Sequence, residues 1–322
     1  MGRRGFRLCS PPSHAQAAFR GGRTLKLGIN YPAGPTSLPP ARFAQLAEAL
    51  GFESIWAGEH PVIPAEIRGD YPQLVDGDLP EAYKRVGDPL ICLAQAAAVT
   101  ERLKLGTGVC LVTERNPLLL AKELATLDAL SKGRLILGAG AGWLREELEA
   151  MGTDFATRWL RLRESVEAMR ALWSGEPAEY HGECIDFPPV LCEPRPARPE
   201  GIPVLVGAGG PRGIAEAAAW GDGWYPVVDS PESLARGVEA LRARCAETDR
   251  DFGRLEVTAL VGVSAASAEP SLLRAYEAAG AHRLVVALGG DADASSLRAL
   301  DPLDAAHTER SLEELAGRLL DR

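Results

Sequence analysis

The chain has 322 residues, 46% of them hydrophobic and 25% charged, which excludes a disordered chain, a collagen and a coiled coil. The length suits one large barrel or two ordinary domains. With 35 basic and 44 acidic residues the net charge is −9, so nothing draws the chain as a whole to nucleic acid or anionic membranes. No run reaches the roughly 18 apolar residues of a membrane helix.

Residues 1–24 carry five arginines, no acid and no periodicity, and read as a disordered extension preceding the folded unit. From Leu25 short apolar runs suited to buried parallel strands alternate with stretches of helical period. LKLGIN (25–30) precedes a helix opening after Pro39-Pro40, and ESIWAG (53–58) precedes a helix from Asp88, where Asp-Pro supplies N-cap and first-turn proline. LKLGTGV (103–109) leads to the helix 116–130, opened by Asn-Pro, and RLILGAG (134–140) to an amphipathic helix near 155–173. IPVLVGA (202–208) pairs with helix 212–220, and GWYPVV (223–228) with helix 231–247. LEVTALVGV (255–263) pairs with helix 269–279, and HRLVVAL (282–288) with helix 309–320. Eight strand–helix units over 25–322 predict an α/β fold, a (β/α)8 TIM-type barrel, with an open doubly wound sheet as the competing topology. Two segments interrupt the beat. Residues 61–87 are long enough to act as a lid, and 175–200 read as a hairpin with a Pro-rich return; both follow strands at the carboxyl-end face.

The chemistry-bearing residues are few. The six cysteines form no C-x-x-C and read as reduced thiols of a cytosolic protein. Five histidines are too scattered for a metal-dependent hydrolase, so no metal is expected. No phosphate loop and no nucleophile elbow occur. His60 stands apart, in Gly58-Glu59-His60-Pro61 directly after the second strand, where an imidazole and a carboxylate reach the active face of a barrel. The residues alone leave open a histidine that merely caps a strand end. GTGV (106–109), GAGAGW (138–143) and GAGGP (207–211) follow strands, and glycine there lets backbone N–H groups approach an anion. Trp143 follows such a strand end and can stack on a flat ligand.

Three blocks together, NPLLLAKELATLDALSKGRLILGAGAGWLREELEAMGT, RLRESVEAMRALWSGEP and IPVLVGAGGP with AAAWGDGWYP, resemble the luciferase-like monooxygenase superfamily, in its coenzyme F420-dependent branch. The likeness runs over about 25–290. It implies an oxidoreductase passing a hydride between F420 and a small organic substrate. Glu59 and His60 then lie at the reactive edge of the ring, His60 moving the proton and Glu59 fixing its tautomer or contacting the ring. Gly108 and Val109 back the ring, often through a cis bond in this branch. Ala141, Gly142 and Trp143 line its other side, and Gly209 and Gly210 take the phosphate-bearing tail. A homodimer through the early helices is the assembly the resemblance implies. Two alternatives keep the fold: an FMN-dependent monooxygenase fed by a separate reductase, and a non-catalytic flavin-binding barrel. The sequence departs from the sugar-phosphate dehydrogenases of the branch, which carry Glu at the place of Trp143 and Trp at the place of Pro64. No lysine follows Lys132.

Overall fold

The structure, a computed structural model, describes residues 25–32, 37–71, 74, 78–263, 268–288 and 304–320. The expected extension over 1–24 lies outside the described residues. In chain order the strands are β1 (Lys26–Asn30), β2 (Ser54–Ala57), β3 (Lys104–Thr107), β4 (Cys110–Leu111), β5 (Leu135–Gly140), β6 (Ala178–His181), β7 (Asp186–Val190), β8 (Val204–Val206), β9 (Gly223–Trp224), β10 (Glu256–Val263) and β11 (Arg283–Leu288). The helices are α1 (Pro40–Leu50), α2 (Glu81–Lys84), α3 (Pro89–Val99), α4 (Pro117–Leu130), α5 (Arg145–Ala150), α6 (Arg158–Leu172), α7 (Gly210–Trp220), α8 (Pro231–Glu247), α9 (Pro270–Ala278) and α10 (Ala305–Leu319).

The sheet runs β3-β2-β1-β11-β10-β9-β8-β5-β4, every pair parallel, and β3 also pairs with β5, which closes the barrel. Strands β3 and β4 form one stave, interrupted at Gly108–Val109, so the closed barrel has the eight staves the sequence predicts. Antiparallel β6 and β7 form the hairpin expected within 175–200, but it follows helix α6 and leads into β8, so the expectation that this segment follows a strand at the carboxyl-end face is corrected. Among the described residues no helix is long and apolar enough to cross a membrane.

Local chemistry accounts for the helix starts. The side chain of Asp88 accepts from the amides of Leu90 (2.9 Å) and Ile91 (3.0 Å), and that of Asn116 from Leu118 (3.0 Å) and Leu119 (3.3 Å), each followed by proline. The sixth predicted strand is shorter than GWYPVV suggests. Pro226 has no N–H to give the ladder, so beyond Trp224 only Val227 rejoins β10, by an isolated bridge to Leu260. Helix α10 starts earlier than expected because the Asp304 carboxylate caps the amide of His307 at 2.7 Å. The helix expected near 155–173 is α6, and a separate short helix, α5, precedes it.

Apolar side chains fill the space between strands and helices, while Trp56, Ile136, Leu205, Tyr225, Leu260, Val285 and Ala287 fill the barrel. Trp56 and Tyr225 stack there at 4.9 Å. At the amino-terminal mouth Arg283 is held by both oxygens of Glu53 (2.8 and 3.0 Å), by Glu256 and by Thr258. That end is closed by ion pairs, which leaves the carboxyl-terminal mouth for chemistry. Cys92, Cys110, Cys184, Cys192 and Cys245 are free thiols.

Candidate active site

Every residue singled out in the sequence follows the carboxyl end of a strand: Glu59 and His60 after β2, Gly108 and Val109 after β3, Ala141 to Trp143 after β5, Gly209 and Gly210 after β8. Parallel strands therefore put them on one mouth. The Gly108–Val109 peptide is cis. Two glycines make room for the Val109 side chain, since a Cβ would stand 2.6 Å from it on Gly140 and 2.2 Å on Gly207, and a Cβ on Gly138 would meet the Thr107 carbonyl at 2.1 Å. The glycine clusters are thus spent partly on accommodating this turn. The buried Tyr225 hydroxyl has no hydrogen-bond partner, and a Cβ on Gly108 would lie 2.7 Å from it.

His60 is held from the side. Its Nδ1 lies 2.8 Å from Oε2 of Glu147, and both side chains are buried. A carboxylate accepts only, so Nδ1 carries the hydrogen and Nε2 is the nitrogen left to exchange a proton. Of the two roles expected of Glu59, fixing the imidazole or contacting the ring, the first is not what the structure shows: Glu59 accepts from the Leu111 amide (2.6 Å) and from Nε (2.8 Å) and Nη2 of Arg115. Arg115 also binds Asp88 at 2.6 Å, tying the strand end to the cap of α3.

Around His60 stand three aromatic rings. Trp143 meets His60 edge-on at 5.8 Å and packs against Tyr71 (5.4 Å) and Tyr83 (6.3 Å); Tyr83 is 5.4 Å from His60. Gly142, at φ 76°, supplies the left-handed step that lets the chain turn from β5 through Trp143 into α5. Two neighbouring acids of that short helix do different work. Glu147 orients His60, and Glu146 straps down the segment expected to be a lid. Glu146 accepts from the amides of Arg68 (2.8 Å) and Gly69 (3.2 Å) and from the Tyr71 hydroxyl (2.8 Å).

Burial works against the charge of Glu146, but the Arg68 amide and the Tyr71 hydroxyl outweigh it and hold its carboxyl below the usual 4.5. The strap is therefore complete at neutral pH and lost only as pH falls through that lowered value. Glu146→Ala is expected to speed tryptic cleavage at Arg68 several-fold at neutral pH while the barrel's melting temperature moves by a few degrees at most. Equal cleavage rates would show that the segment is held by other contacts.

Arginines gather around Phe155. The guanidinium of Arg145 stands 4.3 Å and that of Arg158 3.6 Å from the Phe155 ring centre. Burial, then the charges of Arg145 and Arg212, push Arg158 below its ordinary value. Arg212 lies in the first turn of α7, whose N-cap is Gly209. The Nε of Arg158 is buried without a partner. A Cβ on Gly209 or Gly210 would meet nothing within 4 Å, so this helix start is open. Arg212 is paired with Glu216 at 2.7 Å and Arg145 with Glu149 at 3.6 Å, so it is the orphaned buried donor of Arg158, with an open helix N-terminus, that fits a polyanionic tail.

Arg115, Glu147, Tyr71 and Tyr83 were not legible as site residues. Arg115 lies in the quoted NP block's approach, but the acids of α5 carry no local signal that separates them from a solvated helix face.

Fold and geometry together define a closed (β/α)8 barrel whose candidate residues gather at the carboxyl-terminal mouth. The chain belongs to the luciferase-like monooxygenase family, whose model matches residues 35–320. It is 42% identical over 217 residues to an uncharacterized protein of Mycobacterium tuberculosis, covering 64% of this chain and 76% of that protein. It is 37% identical over 210 residues to an F420-dependent glucose-6-phosphate dehydrogenase of Kineococcus radiotolerans, covering 63% of this chain and 56% of the relative. Among solved structures, the coenzyme F420-dependent tetrahydromethanopterin reductase of Methanopyrus kandleri superposes with a TM-score of 0.70 at 18% identity, over 92% of this chain and 99% of that one.

Proposed function

We propose that the protein is an oxidoreductase that takes coenzyme F420 as hydride carrier and acts on a small, largely apolar organic molecule placed against His60. The observation that carries this reading is the join, on one barrel mouth, of an imidazole oriented by Glu147 and an open cationic helix start suited to a polyanionic tail. Relatives named as F420-dependent support the choice of carrier. Bound there, F420 supplies a deazaflavin ring that exchanges hydride and reacts sluggishly with oxygen.

The chain's own residues supply the rest. Gly108 and Val109 would back the ring, Ala141, Gly142 and Trp143 would line its other side, and Gly209, Gly210 and Arg158 would hold the tail. Nε2 of His60 takes the hydroxyl proton of an alcohol as hydride leaves, or returns it to a carbonyl oxygen in the reverse direction. Glu147 stabilises the imidazolium so formed. The rings of Trp143, Tyr71 and Tyr83 exclude water and favour an apolar substrate body over a sugar phosphate. The Arg115 guanidinium nearby is already committed to Glu59 and Asp88.

Side-by-side titrations with F420 and FMN test the reading. F420 is expected to bind at least ten-fold tighter, roughly 1.4 kcal/mol or more, and to weaken as salt rises. Tighter binding of FMN would transfer the assignment to a flavin monooxygenase.

A further inference from the structure

The imidazole of His60 is almost covered: its side chain is 7% exposed. Glu147 takes Nδ1 at 2.8 Å. Tyr83 packs on the imidazole at 5.4 Å and 64°, Trp143 at 5.8 Å and 82°, and these two rings meet each other at 6.3 Å and 83°. Each ring sets its edge toward a neighbour's face, the arrangement aromatic pairs prefer. With so little of the imidazole exposed, a substrate reaches Nε2 only when part of this cover moves.

Hydrogen bonds from one acid of α5 hold the cover in place. Trp143 also packs on Tyr71, at 5.4 Å and 71°. The Tyr71 hydroxyl donates to Oε2 of Glu146 at 2.8 Å and accepts from the Arg145 amide at 3.2 Å. Oε1 of Glu146 accepts from the amides of Arg68 at 2.8 Å and Gly69 at 3.2 Å. Trp143 and Glu146 stand three residues apart, whereas Tyr71 comes from 75 residues before Glu146. One carboxylate thus ties the segment 68–71 to the short stretch of chain that carries the indole.

We propose that Glu146 and Tyr71 are positioning residues that latch Trp143 over His60, so that a substrate reaches Nε2 only when the hydrogen bonds of Glu146 to residues 68–71 open. This rests on the reading of His60 as the proton-handling group. Latched, the rings keep water from the imidazole; released, they clear a path to it.

The test is the rate at which diethyl pyrocarbonate, which acylates an unprotonated imidazole nitrogen, modifies each histidine of the full chain at neutral pH, read by peptide mass. His181, 61% exposed on the β6–β7 hairpin, is the open reference. His282, whose Nδ1 accepts from the Val257 amide at 2.9 Å, reports on the barrel wall. In the parent, His60 should react far more slowly than His181. Tyr71→Phe keeps the ring and loses the hydroxyl, and Glu146→Ala loses all three donors. A hydrogen bond to a charged group holds a closed form by about ten-fold or more, so each variant should modify His60 at least about ten times faster. His181 and His282 should keep their parental rates. Because the two residues share one bond, the double variant should stay within about two-fold of Glu146→Ala.

A His60 as reactive as His181 in the parent, or unchanged in both variants, overturns the proposal. A parallel rise at His282 overturns it too, since the gain would then come from the barrel, and so does a second full ten-fold step in the double variant. No F420 or substrate is added. Failure of F420 to bind would therefore undo the functional reading while leaving this test intact.

Discussion

His60→Ala is expected to lower turnover by about 10²–10⁴-fold, the usual worth of a positioned general acid or base. Its affinity for F420 should stay within a few-fold of the parent's. The separation follows from placement. His60 meets Glu147, Trp143 and Tyr83, whereas the proposed tail contacts lie across the mouth at Gly209, Gly210 and Arg158. The imidazole acts on a proton, so kcat carries the loss and the pH profile of kcat/KM loses one limb. The measurement is stopped-flow absorbance of F420 with a competent substrate, parent against variant. A variant that turns over at the parental rate with both limbs intact would make His60 a structural cap. A variant that keeps its rate at saturation but loses cofactor affinity would make it a ligand of the ring.

Gly209→Asp should move stability and cofactor affinity in opposite directions. Gly209 is the N-cap of α7, with φ −82° and ψ −175°, a conformation open to any residue, and a Cβ there meets nothing within 4 Å. Aspartate is a better N-cap than glycine, so the variant should fold at least as well, with a gain of a few tenths of a kcal/mol. The same carboxylate stands where an anionic tail must approach. Like charges about 4 Å apart at an effective dielectric of 20 repel by about 4 kcal/mol, so a loss of F420 affinity of 100-fold or more is expected. Gly209→Ser caps without charge and should keep most of the affinity. Unchanged affinity in a folded Gly209→Asp would place the tail elsewhere.

Much of the architecture was legible because it rests on local rules. Period, Asp-Pro and Asn-Pro starts and the count of strand–helix units do not depend on distant contacts. The breaks came where a long-range feature decides. Pro226 ends a strand by denying the ladder its donor, and Glu146 pins residues 68–71 from a helix 75 positions downstream of Tyr71. The site was legible as positions but not as pairings. His60 stood out because it follows a strand, yet its partner is Glu147, 87 residues away, and not the adjacent Glu59. The glycines of 138–140 and 207 looked like anion cradles. Their first duty is steric, since Val109 and the Thr107 carbonyl occupy the space a side chain would need.

The most direct measurement is a crystal structure of the protein with F420 bound. The account predicts the deazaflavin ring against the Gly108–Val109 peptide, with its reactive edge facing Nε2 of His60 and its phosphate at the Gly209–Gly210 start of α7 within reach of Arg158. A ring seated away from His60, or a tail running clear of Arg158 and that helix start, would contradict it.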